Sequence, residues 1–244
     1  MIFKPKTKEE LRNALEEYCE NDDKTKGNIN DWDVSLITDM SDLFFCCYNL
    51  NCNKKIHHFN QPINNWNVSN VTNMSSMFYN CKEFNQPINN WNVSNVTNIS
   101  YMFISCKEFN QPINNWNVSN VTNMNYMFLG CDMFNQPIHN WNVSNVTKMC
   151  SIFLGCNKLN KTCKEQFYIK NIEKKNKYAL YELLDDISII KIYYVVKDKE
   201  FVMNNVTDDQ KNKIQNFIKN KTDDICKSCY LQMDCVNNIC GLCL

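Results

Sequence analysis

Fifteen residues, FNQPINNWNVSNVTN, occupy positions 59–73 and return unchanged at 84–98 and 109–123. A fourth copy, FNQPIHNWNVSNVTK, begins at Phe134. Trp66, Trp91, Trp116 and Trp141 mark a period of 25 residues. Trp32 stands 34 residues before Trp66, so one repeat carries a nine-residue insertion within or near CYNLNCNKKIHH. Five repeats therefore run from about Ile29 to about Thr162. A unit this short cannot bury its own apolar face. Like must stack on like, and the period lies in the range of leucine-rich repeats.

Within one repeat, Ile63, Trp66, Val68 and Val71 follow the L-x-x-L-x-L spacing of a leucine-rich repeat. The alternation around Asn67 and Ser69 predicts a short strand with two residues inward and two outward. Met74, Met77, Phe78 and Cys81 then fall at i, i+3, i+4 and i+7, which predicts one face of a short helix. Thr72 or Asn73 is placed to cap it. Phe84 is placed to anchor the following turn, and Pro87 stops any further helix. The expected fold class is an α/β solenoid, a leucine-rich-repeat-like stack with one short parallel strand and one short helix per repeat.

The motif W-[DN]-V-S-x-[VI]-T-x-M recurs at fixed period, as in INDWDVSLITDMSDLF and INNWNVSNVTNMSSMF. It resembles the BspA-like leucine-rich-repeat surface proteins, whose repeat unit is otherwise filed as a domain of unknown function. KEELRNALEEYCEN resembles the helical lead-in that often precedes those repeats. The resemblance covers roughly residues 8–162. It implies a right-handed solenoid and a role in adhesion or protein binding rather than catalysis. Such repeats also occur in protists and large DNA viruses, and an Asn-, Lys- and Ile-rich chain is compatible with an AT-rich genome of that kind.

The ends differ from the middle. Thr7 with Glu10 forms a capping box that opens a helix to about Cys19, placed to shield the first repeat's open edge. Residues 1–28 are read as this N-terminal capping segment and 29–162 as the five-repeat solenoid. Residues 163–221 are read as a small α+β region. KNKYALYELLDD predicts a helix. ISIIKIYYVV and KEFVM predict two strands joined by a Lys197-Asp198-Lys199 turn. Thr207 with Gln210 caps a helix to about Lys219. Residues 222–244 form a cysteine-rich tail.

Charge and composition narrow the function classes. Lys plus Arg equal Asp plus Glu at 26 each, so no global field attracts nucleic acid or anionic lipid. Between Phe59 and Met149 charges are few, and no phosphate-neutralising groove is expected there. MIFKPKTKEELRNALEEYCEN lacks the apolar core of a signal peptide, and no stretch nears the roughly 20 apolar residues of a membrane span. An intracellular or virion location is expected over the cell surface, with no membrane insertion. The nucleotide-binding, zinc-protease and serine-hydrolase motifs are all absent. An active site needs one convergence of unlike groups, whereas near-identical repeats present one group at regular intervals.

Twelve of the 15 cysteines fall into three groups. Cys47, Cys81, Cys106, Cys131 and Cys156 recur on the inward stripe and read as small buried residues rather than a metal ladder. Cys46, Cys52, His57 and His58 gather at the insertion. They are metal-compatible or could pair a nucleophile with a base, yet read as a polar loop, with no carboxylate placed to orient either His. In the tail, Cys226, Cys229, Cys240 and Cys243 form two C-x-x-C pairs that suit tetrahedral zinc, with Cys235 left over. A small disulfide module or a reduced tail are the alternatives there.

The candidate binding face is the outward pair in each strand: Asn67 and Ser69, Asn92 and Ser94, Asn117 and Ser119, Asn142 and Ser144. Stacked amides that bond one another and the backbone would explain the same asparagines without a ligand. The expectation is a non-catalytic scaffold for a protein partner, with no required cofactor. A structural virion or surface component is the alternative. A zinc-binding regulatory module in the tail is the third reading.

Overall fold

The computed structural model describes residues 2–45, 55–174, 176–184 and 189–220. The chain divides into two compact units, Met1–Phe167 and Tyr168–Leu244. Among the described residues no helix is long and apolar enough to cross a membrane.

The first unit opens with α1, Lys8–Glu20. Thr7 Oγ1 accepts from the Glu10 N–H at 3.1 Å, and the Glu10 carboxylate accepts from the Lys6 N–H at 2.8 Å. The Thr7–Glu10 pairing read from the sequence therefore starts the helix, with the return bond one residue earlier than in the standard box. Leu11, Ala14 and Leu15 are buried. Beside this buried stripe, Lys8 and Arg12 reach the first repeat. Arg12 donates to the carbonyls of Asp42 at 3.1 Å and Phe45 at 2.6 Å, and Lys8 reaches Ser41 and Asp39. In later repeats the carbonyl equivalent to that of Phe45 accepts from a preceding repeat, as Ile104 O does from Asn80 N. Helix α1 thus supplies the donors that a missing coil would have supplied.

The repeats are not built as expected. Among the described residues there is no strand and no sheet, only single parallel bridges linking Asp39, Asn73, Asn98, Asn123 and Lys148 in turn. Nor do the described residues of the repeats form an α-helix, only the short 3-10 turns Ile29–Asp31 and Lys55–His58; the next α-helix, α2 (Lys161–Glu173), begins at their end. The α/β solenoid with a strand and helix per repeat is therefore corrected to stacked coils of consecutive tight turns. Two features prevent the regular elements. In the expected strand, Trp66 N bonds to Ile63 O and Val71 N to Val68 O, so the chain reverses every three residues instead of running extended. In the expected helix, Ser76 and Asn80 sit at φ 55 and 62, the left-handed region that breaks an α-helix.

The turn geometry has its own order. Met77, Tyr79 and Cys81 donate locally, to Met74, Ser76 and Phe78. The alternate residues Met74, Ser76, Phe78 and Asn80 donate along the stack, to Asn98, Ser100, Met102 and Ile104, at 2.7–2.9 Å. A left-handed residue at every second rung, Ser76 and Asn80 here, lets the chain curl around its core while every second N–H still points along the stack. The next repeat does the same through Ile99, Tyr101, Phe103 and Ser105.

The inward letters are those the sequence singled out. Ile63, Trp66, Val68, Val71, Met74, Met77, Phe78, Cys81 and Phe84 are all buried. Phe78, Phe103, Phe128 and Phe153 lie one above another, 5.6, 5.7 and 5.9 Å apart and nearly parallel. A second column runs through Phe84, Phe109 and Phe134 at 6.0 and 6.2 Å. The indoles of Trp66, Trp91, Trp116 and Trp141 each donate to an isoleucine carbonyl one coil earlier, for instance Trp91 to Ile63 at 3.2 Å and Trp141 to Ile113 at 3.0 Å, while Trp32 donates to the Lys26 carbonyl at 3.1 Å. This satisfies the one polar atom of a buried Trp. Beside Phe153, Phe167 of α2 closes the last coil edge-on at 5.5 Å.

In the second unit, the expected α+β region is corrected to helices among the described residues: α3 Lys177–Leu184, α4 Ile189–Val195, α5 Lys199–Asn204 and α6 Asp208–Asn220. The two predicted strands are α4 and α5. Local caps override the β-branched composition. Asp198 Oδ1 accepts from Phe201 N at 2.8 Å and starts α5. The Lys199 ammonium meets the terminal carbonyls of α4, at Tyr193, at Tyr194 (3.0 Å) and at Val196 (2.7 Å). The Lys197–Lys199 segment therefore ends one helix and begins another instead of turning a hairpin. The Thr207–Gln210 box forms as read, with reciprocal bonds of 2.9 and 3.3 Å.

Because Phe103 lies in the middle of the ring column, Phe103→Ala is expected to lower the unfolding free energy by about 3–5 kcal/mol, measured by urea denaturation. A loss below about 1 kcal/mol would show that the column does not hold the stack together.

Candidate functional site

The Asn and Ser residues of the candidate face stand outward, one pair per coil. Asn67, Asn92, Asn117 and Asn142 are exposed, and their serines are half-exposed or exposed. Each Asn oxygen is used inside its own coil. It accepts from the N–H of Ser69, Ser94, Ser119 or Ser144 at 3.1, 3.2, 3.2 and 3.4 Å, an Asx turn that helps reverse the chain. The Ser69 and Ser119 hydroxyls add bonds of 2.7 Å to the same oxygens.

Amide bonds between coils belong to other asparagines. Asn70, Asn95, Asn120 and Asn145 each donate to a serine carbonyl one coil earlier at 2.7–2.8 Å. Asn60, Asn85 and Asn110 each accept from an N–H and a glutamine amide one coil later. The stacking amides are thus the ones outside the expected ladder. Thr72, Thr97, Thr122 and Thr147 hydroxyls follow the same rule, donating to the previous threonine carbonyl at 3.1–3.3 Å.

At the insertion, Cys46, Cys52 and the His57 side chain lie outside the described residues. His58 does have an orienting carboxylate, which the sequence reading missed. Its Nδ1 lies 2.6 Å from Glu83 Oε1, supplied by the next coil. A cleft of about 380 Å³ opens beside it, lined by Tyr18, Cys19, Lys24, Lys55, His58 and Phe59 among others. Its charges are already engaged: Lys24 with Asp22 at 2.6 Å and Lys55 with the Glu20 carbonyl at 3.2 Å. Burial and the neighbouring Glu20 push the Cys19 thiol up to about 11, so it stays protonated and is a poor nucleophile near neutral pH.

The inward cysteines form a column of thiol donors. Cys106, Cys131 and Cys156 Sγ lie 3.0, 2.8 and 3.1 Å from the Phe78, Phe103 and Phe128 carbonyls. Burial pushes Cys106 and Cys131 well above the usual thiol range and Cys156 up to about 12. Among the described residues no three His, Cys, Asp or Glu side chains converge as metal ligands. Cys226, Cys229, Cys240 and Cys243 lie outside them.

A further surface emerges when the coils are compared with one another. NQPINNWNVSNVT is copied without change at 60–72, 85–97 and 110–122. The differences fall almost wholly in the remaining arc. There Ser76, Tyr101, Tyr126 and Ser151 share one position, and Tyr79, Ile104, Leu129 and Leu154 share another, with Phe45 before them. This second position changes identity but is apolar in every coil. Its side chains range from Ile104, buried in the core, through half-buried Phe45, Tyr79 and Leu129 to Leu154 at 61 % exposure. Phe45 and Tyr79 meet edge-on at 5.2 Å, and Tyr101 and Tyr126 stack at 5.4 Å.

Tyr101 and Tyr126 hold φ of 62 and 56. That is costly for a bulky side chain. Four residues on, the same region is occupied by Gly130 and Gly155 in the later coils, where it costs little. The sequence signal for this arc was the run Met-Phe-[Tyr/Ile/Leu], whose third residue a helical reading leaves unexplained.

The family model described as "Mycoplasma protein of unknown function, DUF285" matches residues 13–60 and 51–167. The two matches meet at the insertion. No curated protein and no solved structure matches the chain.

Two outcomes test this geometry. Since the unfolded thiols ionise near 8.5 and the folded ones higher, their contribution is complete below pH 8.5 and is lost as pH rises from there toward 12. Urea melts across pH 8–11 should show stability falling, less steeply in Cys106→Ala than in the parent. Separately, Asn92→Ala with Asn117→Ala should cost about 1 kcal/mol per site through lost Asx bonds.

Proposed function

Starting from a chain that belongs to this family of mycoplasma proteins of unknown function, we propose that the first unit is a non-catalytic scaffold for a protein partner. The partner sits on the variable arc. The observation that carries the reading is the apolar column Phe45, Tyr79, Ile104, Leu129 and Leu154, with Tyr101 and Tyr126 beside it. A copied arc offers every partner the same groups at every coil. A surface that differs from coil to coil offers one register, which specificity needs. Tyrosines kept in a strained backbone region, and apolar side chains kept at outward positions, both cost stability without serving the core.

The absence of catalysis in this reading rests on chemistry. The coil surface carries few charges, Lys24 and His58 of the cleft already face carboxylates, and burial holds the Cys19, Cys106, Cys131 and Cys156 thiols protonated. The resemblance to BspA-like surface proteins extends the proposal to adhesion, with the Asn and Ser pairs as a second contact region. Their outward amide hydrogens are not used by the Asx turns.

A photo-cross-linking residue placed at Leu129 or Leu154 is expected to capture a discrete protein from extract of the source cells. The same residue at Asn92 or Asn117 should not. Capture from Asn117 alone would move the contact to the Asn/Ser face, and capture from neither would remove the scaffold reading.

A further inference from the structure

Tyr101 and Tyr126 are held as a pair by the register of two coils. Tyr101 N donates to Asn125 O at 2.9 Å, and Tyr126 N donates to Cys150 O at 2.8 Å. Axial bonds on either side, from Ile99 N to Asn123 O and from Phe103 N to Met127 O, stop the two backbones from sliding. Both residues hold a left-handed φ, 62 and 56. Their rings lie 5.4 Å apart and 22° from parallel. The neighbouring coils carry Ser76 and Ser151 at this position, so the stack of phenols is two rings long. Tyr193 and Tyr194, also in contact, meet edge-on at 88° instead.

Both stacked rings reach solvent. Tyr101 is 37 % exposed and Tyr126 is half-buried. An oxidant meets them without opening the core, and exposed side chains turn within picoseconds to nanoseconds. Small rotations bring the carbons next to each hydroxyl, the ortho carbons, into contact while the axial bonds hold the backbones. Proximity then replaces a collision between separate molecules.

We infer that Tyr101 and Tyr126 are a site of oxidative cross-linking, joined as dityrosine when the protein meets hydrogen peroxide and a haem peroxidase. Each phenol gives up one electron and one proton and becomes a phenoxyl radical. The unpaired spin spreads to the ortho carbons, where the two radicals form one carbon–carbon bond. The hydrogen on each joined carbon moves to the ring oxygen and restores the phenol. In sum two C–H bonds are lost and one C–C bond is gained. The peroxide takes the two electrons and two protons and leaves as two waters. The new bond joins residues 25 apart and staples one coil to the next. Closing that loop lowers the entropy of the unfolded chain, so the linked form resists unfolding. The strained tyrosines thereby have a use that needs no partner protein, and the scaffold reading stands or falls separately.

The test uses the full chain with its accessible thiols blocked by N-ethylmaleimide. It is oxidised by a haem peroxidase with one equivalent of hydrogen peroxide, and the monomer is digested with trypsin. Cleavage after Lys82, Lys107 and Lys148 puts the two tyrosines in separate peptides, 83–107 and 108–148. The expected product is these two peptides joined, at their summed mass less two hydrogens, with dityrosine fluorescence. Tyr101→Phe and Tyr126→Phe keep the ring, and each should lose the joined pair. The same oxidation of the two free peptides should yield at least about tenfold less. The linked monomer should unfold at a higher urea midpoint than the unlinked one. No joined pair, an equal yield from the free peptides, or links to other tyrosines or between molecules as the main product would overturn the site. A joined pair with an unchanged urea midpoint would overturn the staple.

Discussion

Every coil depends on one division of labour among backbone N–H groups. Alternate residues donate within the coil and along the stack. The local bonds make turns tight enough to enclose a core only one residue deep. The axial bonds, 2.7–3.0 Å long, fix each coil's register on the next. Neither set suffices alone. Turns without axial bonds would bury too little apolar surface, and axial bonds without turns would give a flat ribbon. Once register is fixed, identical side chains face one another, which brings Phe over Phe and Trp over Trp at about 6 Å.

The polar side chains follow the same register. Trp indoles, Cys thiols, Thr hydroxyls and Asn amides all bond to backbone groups in the preceding coil. This explains the composition better than any ligand does. An asparagine-rich repeat has many groups able to satisfy the carbonyls that turns leave free. The exceptions become informative for that reason. The side chains of Tyr101, Tyr126, Leu129 and Leu154 make none of these bonds and are exposed or half-exposed, although their backbones keep the register.

Which residues point inward was legible in the sequence; how the backbone carries them was not. Met74, Met77, Phe78 and Cys81 are spaced as a helix would space them, and turns broken by left-handed residues give the same spacing. A cue was present. Asn80 and Gly130 share one position, and Asn and Gly are the residues most at ease at positive φ. Asn67-Val68-Ser69 likewise reads as alternation, yet the Asn oxygen bonds two residues on and turns the chain. In the second unit IIKIYYV reads as a strand, and only the pairing of Lys199 with the α4 carbonyls shows why it is helical. Contacts between sequence-distant groups, such as His58 with Glu83, leave no local trace.

The ends of the stack are unlike each other. Helix α1 brings donors to the carbonyls of the first coil, and Phe167 covers the ring of the last. Between them lie three stretches of fifteen identical residues, at 59–73, 84–98 and 109–123. Because each coil presents the same bonding edge to the next, loss or gain of one whole repeat would leave both ends of the stack unchanged, so its length can change without redesign of either end.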